Sequence, residues 1–258
     1  MTEIGGRVAV VTGGAAGIGR ALAGLLRDEG ASVVIADHRA GPLRAAAAEL
    51  GVEAIETDVT SEASVAALAA EVVARHHRVD LVVNNAGIGM IRPIAAMTTE
   101  DWRRILDVDL WGVIHGVAAF LPLLEANPDG GHLVNVGSMS SFVCDIGLGA
   151  YTVAKHGVRA LTETLALELA RRGSAVRVTL AVPGSVHTGF GRDQGDAENG
   201  HVDRFDGVAA HFRVLEPTEA AHLILRAIRD DELYAITHPE WLPLVEASFA
   251  AVRAAFER

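Results

Sequence analysis

The sequence predicts a doubly wound α/β protein: a parallel sheet covered by helices on both faces, three layers in a single domain over residues 1–258. Short apolar runs alternate with stretches of helical spacing from end to end, the pattern of strands joined through crossover helices. The runs are nearly continuous in Val, Ile, Leu and Ala, as strands buried on both faces require. The first of them passes directly into a glycine-rich turn and then a helix.

Taken in order, residues 7–12 (RVAVVT) form the first strand, 13–19 (GGAAGIG) the turn, and 20–29 the helix it opens. Residues 32–36 (SVVIA) make a second strand ending at Asp37, 42–50 an alanine-rich helix, 53–56 a weak third strand, and 61–75 a helix with apolar residues at helical spacing. The fourth strand, 81–84 (LVVN), stops at Asn85-Ala86-Gly87. Thr98 or Thr99 then supplies a capping hydroxyl, with Glu100 and Asp101 in the first turn, for a long helix running toward residue 124. The turn cluster Asn127-Pro128-Asp129-Gly130-Gly131 ends it. Strand 132–136 (HLVNV), helix 151–171 and strand 177–182 follow, the last broken by Pro183-Gly184. Residues 189–216 lack periodicity and are rich in glycine and charge, which marks a disordered stretch or a lid and is assigned here as a substrate lid within the domain. A helix from Pro217, a strand at 233–236 and an amphipathic helix over 239–256 complete the chain.

Composition narrows the partners. A formal charge of -11 offers no electrostatic footprint for nucleic acid or anionic lipid, so small molecules are the expected ligands. The single cysteine, Cys144, excludes an intrachain disulfide. Residues 1–7 lack the basic-then-apolar order of a secretory signal, and no uninterrupted apolar run reaches membrane-spanning length. The expectation is a cytoplasmic protein with no membrane partner. Among the 11 histidines only His76 and His77 are adjacent, with no helical His-x3-His pair, so no metal site is expected.

Two features carry chemistry on their own. Gly13, Gly17 and Gly19, with Ile18 between the last two, lie between a strand and a helix, where glycine permits a tight turn and close approach of backbone to a pyrophosphate at the helix N-terminus. Asp37 ends the second strand eighteen residues after Gly19, where a carboxylate accepts hydrogen bonds from adenosine ribose hydroxyls and repels a 2'-phosphate. That favours NAD over NADP, with Arg39 as the one nearby group able to attract the phosphate. The second feature is Tyr151 and Lys155. Lys155 is the only lysine beside twenty-one arginines, and it falls four residues after one of only two tyrosines. On a helix the pair shares a face. An ammonium beside a phenol favours its anion and draws it toward use as an acid or base near neutral pH.

Together these residues resemble the short-chain dehydrogenase/reductase family, in its shorter single-domain branch with a Rossmann fold. The resemblance rests on Thr12-Gly13-x3-Gly17-Ile18-Gly19, Asp58-Val59, Asn84-Asn85-Ala86-Gly87, Ser138, Tyr151-x3-Lys155 and Pro183-Gly184-Ser185-Val186-x-Thr188, and it runs over almost the whole chain. It implies an oxidoreductase that passes a hydride between NAD and a small or medium secondary alcohol or ketone. The glycine turn, Ala15 included, would hold the cofactor, with Asp58 and Val59 at the adenine and Asn85, Ala86 and Gly87 on the cofactor floor. Val186 and Thr188, in the Pro183-Gly184 stretch, would hold the carboxamide. Ser138, thirteen residues before Tyr151, would bind the substrate oxygen, with Ser140 and Ser141 as rivals. Tyr151 would be the general acid/base, and Lys155 would bind the nicotinamide ribose and lower the tyrosine's pKa. Such proteins assemble as homodimers or homotetramers through two long central helices.

One residue departs from the family pattern. Where a V-N-L-x-G sequence is usual, this chain reads Val108-Asp109-Leu110-Trp111-Gly112. The family asparagine helps hold a water between the lysine and solvent. Asp109 keeps the acceptor and loses the donor when ionised. It is therefore counted with the catalytic residues as a relay acceptor. Two alternatives stand beside the enzyme: a sensor that binds nicotinamide cofactor without turnover, and a sugar epimerase or dehydratase of the longer branch. The glycine spacing and the short C-terminal region weigh against the second.

Overall fold

The computed structural model describes residues 2–188 and 212–258. Seven parallel strands form one sheet in the order β3-β2-β1-β4-β5-β6-β7. They are β1 (Val8–Thr12), β2 (Ser32–Asp37), β3 (Glu53–Glu56), β4 (Leu81–Asn84), β5 (His132–Val136), β6 (Arg177–Val182) and β7 (Tyr234–Ile236). Strand order reverses between β1 and β4, the point where the loops after two neighbouring strands diverge and leave a crevice. The glycine turn follows β1 there, and Asn85-Ala86-Gly87 follows β4.

The pleat explains why the strands read as continuous apolar runs. On β1, Ala9 and Val11 face one helical layer while Val8 and Val10 face the other. The first layer is α1 (Gly17–Asp28), α2 (Ala40–Leu50) and α7 (Pro217–Arg229), which bury Leu22, Leu26, Leu43 and Ile224. The second contains α3 (Glu62–His76), α5 (Gly112–Ala126) and α6 (Gly149–Arg171), which bury Leu68, Val72, Phe120, Leu124 and Leu165. Fully burying each such side chain stabilises the fold by about 1.5–3 kcal/mol before conformational entropy is charged against it.

The structure revises the expected long helix. It begins as α4 (Thr99–Leu106), with Thr98 and Asp101 forming a reciprocal capping box, and it widens to a π-helical segment at Asp107–Trp111 before resuming as α5. The helical stretch Thr99–Ala126 is long enough to cross a membrane and holds an 18-residue window of mean hydropathy 1.4, but Asp109 and Glu125 interrupt its apolar run. Here Phe120 and Leu124 on it are wholly buried in the sheet-facing core.

At the C-terminus, Pro239–Trp241 is a 3-10 turn whose Trp241 is buried, followed by α8 (Leu242–Phe256), none of whose residues is buried. The expected amphipathic helix over 239–256 therefore buries only Trp241 outright, with Leu244 and Val245 packed partly buried against the core. The expected lid falls largely outside the described residues. Within its last positions, Leu215 is buried and pairs with Val186.

Candidate active site

The crevice between β1 and β4 is built by close backbone approach. Gly13 and Gly17 adopt φ of 65° and 54°, the left-handed region that glycine alone enters without cost. A Cβ on Gly13 would stand 2.8 Å from the Ala86 Cα, and one on Gly19 would stand 2.3 Å from Asn85 Nδ2. Polar bonds hold the two loops together: Thr12 Oγ1 accepts the N–H groups of Asn85 (3.0 Å) and Ala86 (3.1 Å), while Asn85 Nδ2 donates to the Thr12 carbonyl at 2.8 Å. The Asn85 side chain thus braces the glycine turn. The turn opens α1 with no side-chain cap and no acid in its first turn, so the positive end of the helix dipole faces the crevice.

The other expected cofactor residues lie at or after the ends of neighbouring strands. Asp37 is buried at the end of β2, and its Oδ1 accepts from the Arg39 N–H (3.0 Å) and Nε–H (3.2 Å). Asp58 Oδ1 accepts from the Thr60 N–H at 2.9 Å and its hydroxyl at 2.8 Å, and Val59 packs where a Cβ on Gly112 would lie 2.9 Å away. The Thr188 methyl would lie 3.0 Å from a Cβ on Gly17, so the stretch after β6 reaches back over the glycine turn.

Ser138, Tyr151 and Lys155 come together beside this crevice. Ser138 follows β5 at the entry to a short 3-10 turn, where its Oγ accepts the Ser140 N–H at 3.1 Å. The Ser141 hydroxyl accepts the Ser138 N–H at 3.2 Å, which occupies that rival in the turn. Tyr151 lies in the first turn of α6 within hydrogen-bonding reach of the Ser138 hydroxyl. One turn on, Lys155 Nζ donates to the Val136 carbonyl at 3.1 Å and sits 5.4 Å from the centre of the Tyr151 ring. Asp109, in the π-helical segment, places Oδ1 3.1 Å from that ammonium, and its Oδ2 accepts the Ile88 N–H at 3.3 Å. Gly87 leaves the space for it: a Cβ there would stand 2.8 Å from Asp109 Oδ1.

Burial and charge oppose each other at this cluster. Burial pushes the Tyr151 phenol above its ordinary pKa; Lys155 pulls it down, Asp109 pushes it further up, and Ser138 stabilises the anion. The expected lowering by lysine is thus present but outweighed. Burial pulls the Lys155 ammonium down, yet Asp109 and then Tyr151 overcome it, and the net direction is up. Burial likewise raises Asp109 against the pull of Lys155.

The sequence profile described as short chain dehydrogenase matches residues 7–199. The chain belongs to that family. Among its relatives is the "(5R,7aS)-5-hydroxy-7a-methyl-1-oxo-2,3,5,6,7,7a-hexahydro-1H-indene-carboxyl-CoA reductase" of Mycobacterium tuberculosis, 39% identical over 89% of this chain and 88% of that one. The "NADP-dependent (R)-specific alcohol dehydrogenase" of Lentilactobacillus kefiri is 33% identical over 91% of this chain and 94% of its own. Among solved structures, a short chain dehydrogenase/reductase from Burkholderia phymatum in complex with NAD superposes with a TM-score of 0.90 at 30% identity, covering 99% of this chain and 97% of that one.

Several further side chains of this short-chain dehydrogenase have settings of their own. Arg92 Nη1 pairs with Asp101 at 2.7 Å, the His115 ring bonds the Val59 carbonyl at 2.9 Å, and His187 lies 4.0 Å from Glu216. Cys144 is exposed, and Asp145 accepts the Ile146 N–H at 2.8 Å. Trp102 packs in the cluster around Tyr151, whereas Trp111 is half exposed beside His115. Among the described residues no group of three or more His, Cys, Asp or Glu side chains is placed to hold a metal ion. Sequence reasoning missed His238, which is fully buried behind Gly184. Its one sequence signal is a Thr-His-Pro triplet directly after the last strand.

Proposed function

We propose that this short-chain dehydrogenase transfers a hydride between NAD and a small or medium secondary alcohol or ketone, with Ser138, Tyr151 and Lys155 as its reacting group. The observation that carries this reading is the meeting of the chain's only lysine with Tyr151 and Ser138 in a buried cluster at the edge of the crevice. The nicotinamide group supplies the hydride acceptor or donor. Gly13 and Gly19 let the turn close against Asn85 and Ala86, and the uncapped N-terminus of α1 beside it fits the cofactor's pyrophosphate. In the oxidation direction the substrate hydroxyl proton passes to the Tyr151 oxygen while Ser138 hydrogen-bonds the same substrate oxygen. Lys155 favours the phenolate, and Asp109 forms an ion pair with Lys155 at 3.1 Å.

NAD is preferred in this reading because Asp37 would face a 2'-phosphate with like charge. The relatives point both ways, one named NADP-dependent and one solved with NAD. Ile91, Ile94 and Ile146 are exposed, the last to 82%, and they favour an apolar substrate body at the rim. We also propose a cytoplasmic homotetramer or homodimer, supported by the exposed Val153 and Leu167 on α6 and Trp111 beside α5.

The test is cofactor reduction by the purified protein with a panel of secondary alcohols, each with NAD and with NADP. Turnover is expected with NAD, and Tyr151→Phe is expected to lower kcat by about 10²–10⁴-fold. Nicotinamide binding without turnover on any alcohol would favour the sensor reading, for which the buried Asp109 is the one supporting feature. Absence of nicotinamide binding in a fluorescence titration overturns both.

A further inference from the structure

We propose that His238 is a positioning residue for the cofactor stretch: its imidazole sets the orientation of the Pro183–Gly184 peptide group, from which residues 185–188 and the Ser138 turn both take their place. The proposal rests on the dehydrogenase reading above.

One peptide plane joins two parts of the site. The Pro183 carbonyl accepts the N–H of Met139, the residue after Ser138, at 2.8 Å. On the opposite edge of the same plane, the Gly184 N–H donates to His238 Nδ1 at 3.0 Å. A backbone N–H can only donate, so Nδ1 is the accepting nitrogen and the ring proton sits on Nε2. There the Arg213 carbonyl, 3.2 Å away, accepts it. The Thr237 hydroxyl lies 2.6 Å from Nδ1 and is a second acceptor of the Gly184 N–H at 3.3 Å.

The ring also acts as a wall. A Cβ at Gly184 would lie 2.7 Å from both Cγ and Nδ1 of His238, so glycine is required for the peptide to rest on the imidazole. Arg213 belongs to the strip that pairs with the cofactor stretch: the His187 N–H donates to the Leu215 carbonyl at 2.9 Å and the Leu215 N–H to the Ser185 carbonyl at 3.0 Å. Phe212 stacks on Trp241 with ring centres 4.6 Å apart. His238 therefore ties together the two backbone strips on either side of it, and it is wholly buried while doing so.

The geometry separates the two nitrogens experimentally. Asparagine places an acceptor near Nδ1, whereas glutamine places a donor near Nε2. With purified enzyme held well below its Tm, NAD(H) and NADP(H) are titrated by fluorescence, and kcat and KM for the cofactor are measured with the best alcohol. His238→Phe is expected to raise the cofactor Kd and KM about tenfold or more, with the smaller effect on kcat; His238→Asn restores both to within about threefold of wild type and His238→Gln does not. If His238→Phe fails to fold, the Asn and Gln variants alone decide the matter. A structural role alone would lower Tm in these variants and leave cofactor Kd unmoved; that result, or equal Kd for the Asn and Gln variants, overturns the proposal. Wild-type enzyme that binds no nicotinamide overturns the dehydrogenase reading and this one with it, whereas wild-type binding matched by His238→Phe overturns this one alone.

Discussion

Lys155 Nζ and Asp109 Oδ1 stand 3.1 Å apart with both side chains out of water, Lys155 at 3% exposure and Asp109 at 0%. The carboxylate strengthens the ammonium's hold on its proton, and it also raises the pKa of Tyr151 against the pull of that ammonium. Asp109→Asn removes a negative charge and keeps an acceptor, so the Tyr151 phenol is expected to ionise more readily. The pH at which alcohol oxidation reaches half its maximum should move to lower pH, read from kcat/KM against pH. An unchanged profile and unchanged rate would mean that Asp109 has no part in proton handling.

This pair also marks how far the sequence could be read. Lys155 was legible because the chain contains no other lysine, and Asp109 because a carboxylate stands in a pattern that usually holds asparagine. The π-helical segment that aims Asp109 was not legible. One residue more per turn inside a long apolar helix leaves no mark on composition, and a Trp and a Leu beside it serve either geometry. The strands were legible because burial on both faces demands unbroken apolar runs, as in VAVVT and LVVN. The interlocking of Thr12 with Asn85 and of Gly184 with His238 depends on tertiary approach, which local periodicity does not encode.

His132 gives the fold a pH dependence. It is 1% exposed, its Nδ1 lies 2.9 Å from the Thr2 hydroxyl, and that hydroxyl donates to Asp231. Burial, partly offset by Asp231, pushes its pKa down from 6.5 to about 4. The folded state then binds fewer protons than the unfolded one in this window. The neutral ring's contribution is complete above about pH 6.5 and is lost as pH falls toward about 4, a shift equivalent to roughly 3 kcal/mol at its limit. Urea unfolding of wild type and His132→Asn over this range checks it: the wild type should lose stability faster on acidification. Parallel curves would show that the ring titrates normally.

Gly116 on α5 meets Asn84 on β4 so closely that a Cβ would stand 2.0 Å from Asn84 Oδ1. Asn84 Nδ2 donates to Asn135 Oδ1 at 2.9 Å, and Asn135 Nδ2 donates to the Thr162 hydroxyl at 3.0 Å, so a displaced amide disturbs a buried chain from β4 to α6. Gly116→Ala is therefore expected to destabilise the protein by about 1–3 kcal/mol through overpacking, even though alanine favours a helix by about 1 kcal/mol over glycine. In an Asn84→Ala background the obstructing amide is absent, and the same substitution should become neutral or stabilising by up to about 1 kcal/mol. A double-mutant cycle by chemical denaturation measures the difference as a coupling energy. Equal cost in both backgrounds would place the constraint on Gly116 elsewhere than Asn84, since only a shared contact makes the two substitutions interact.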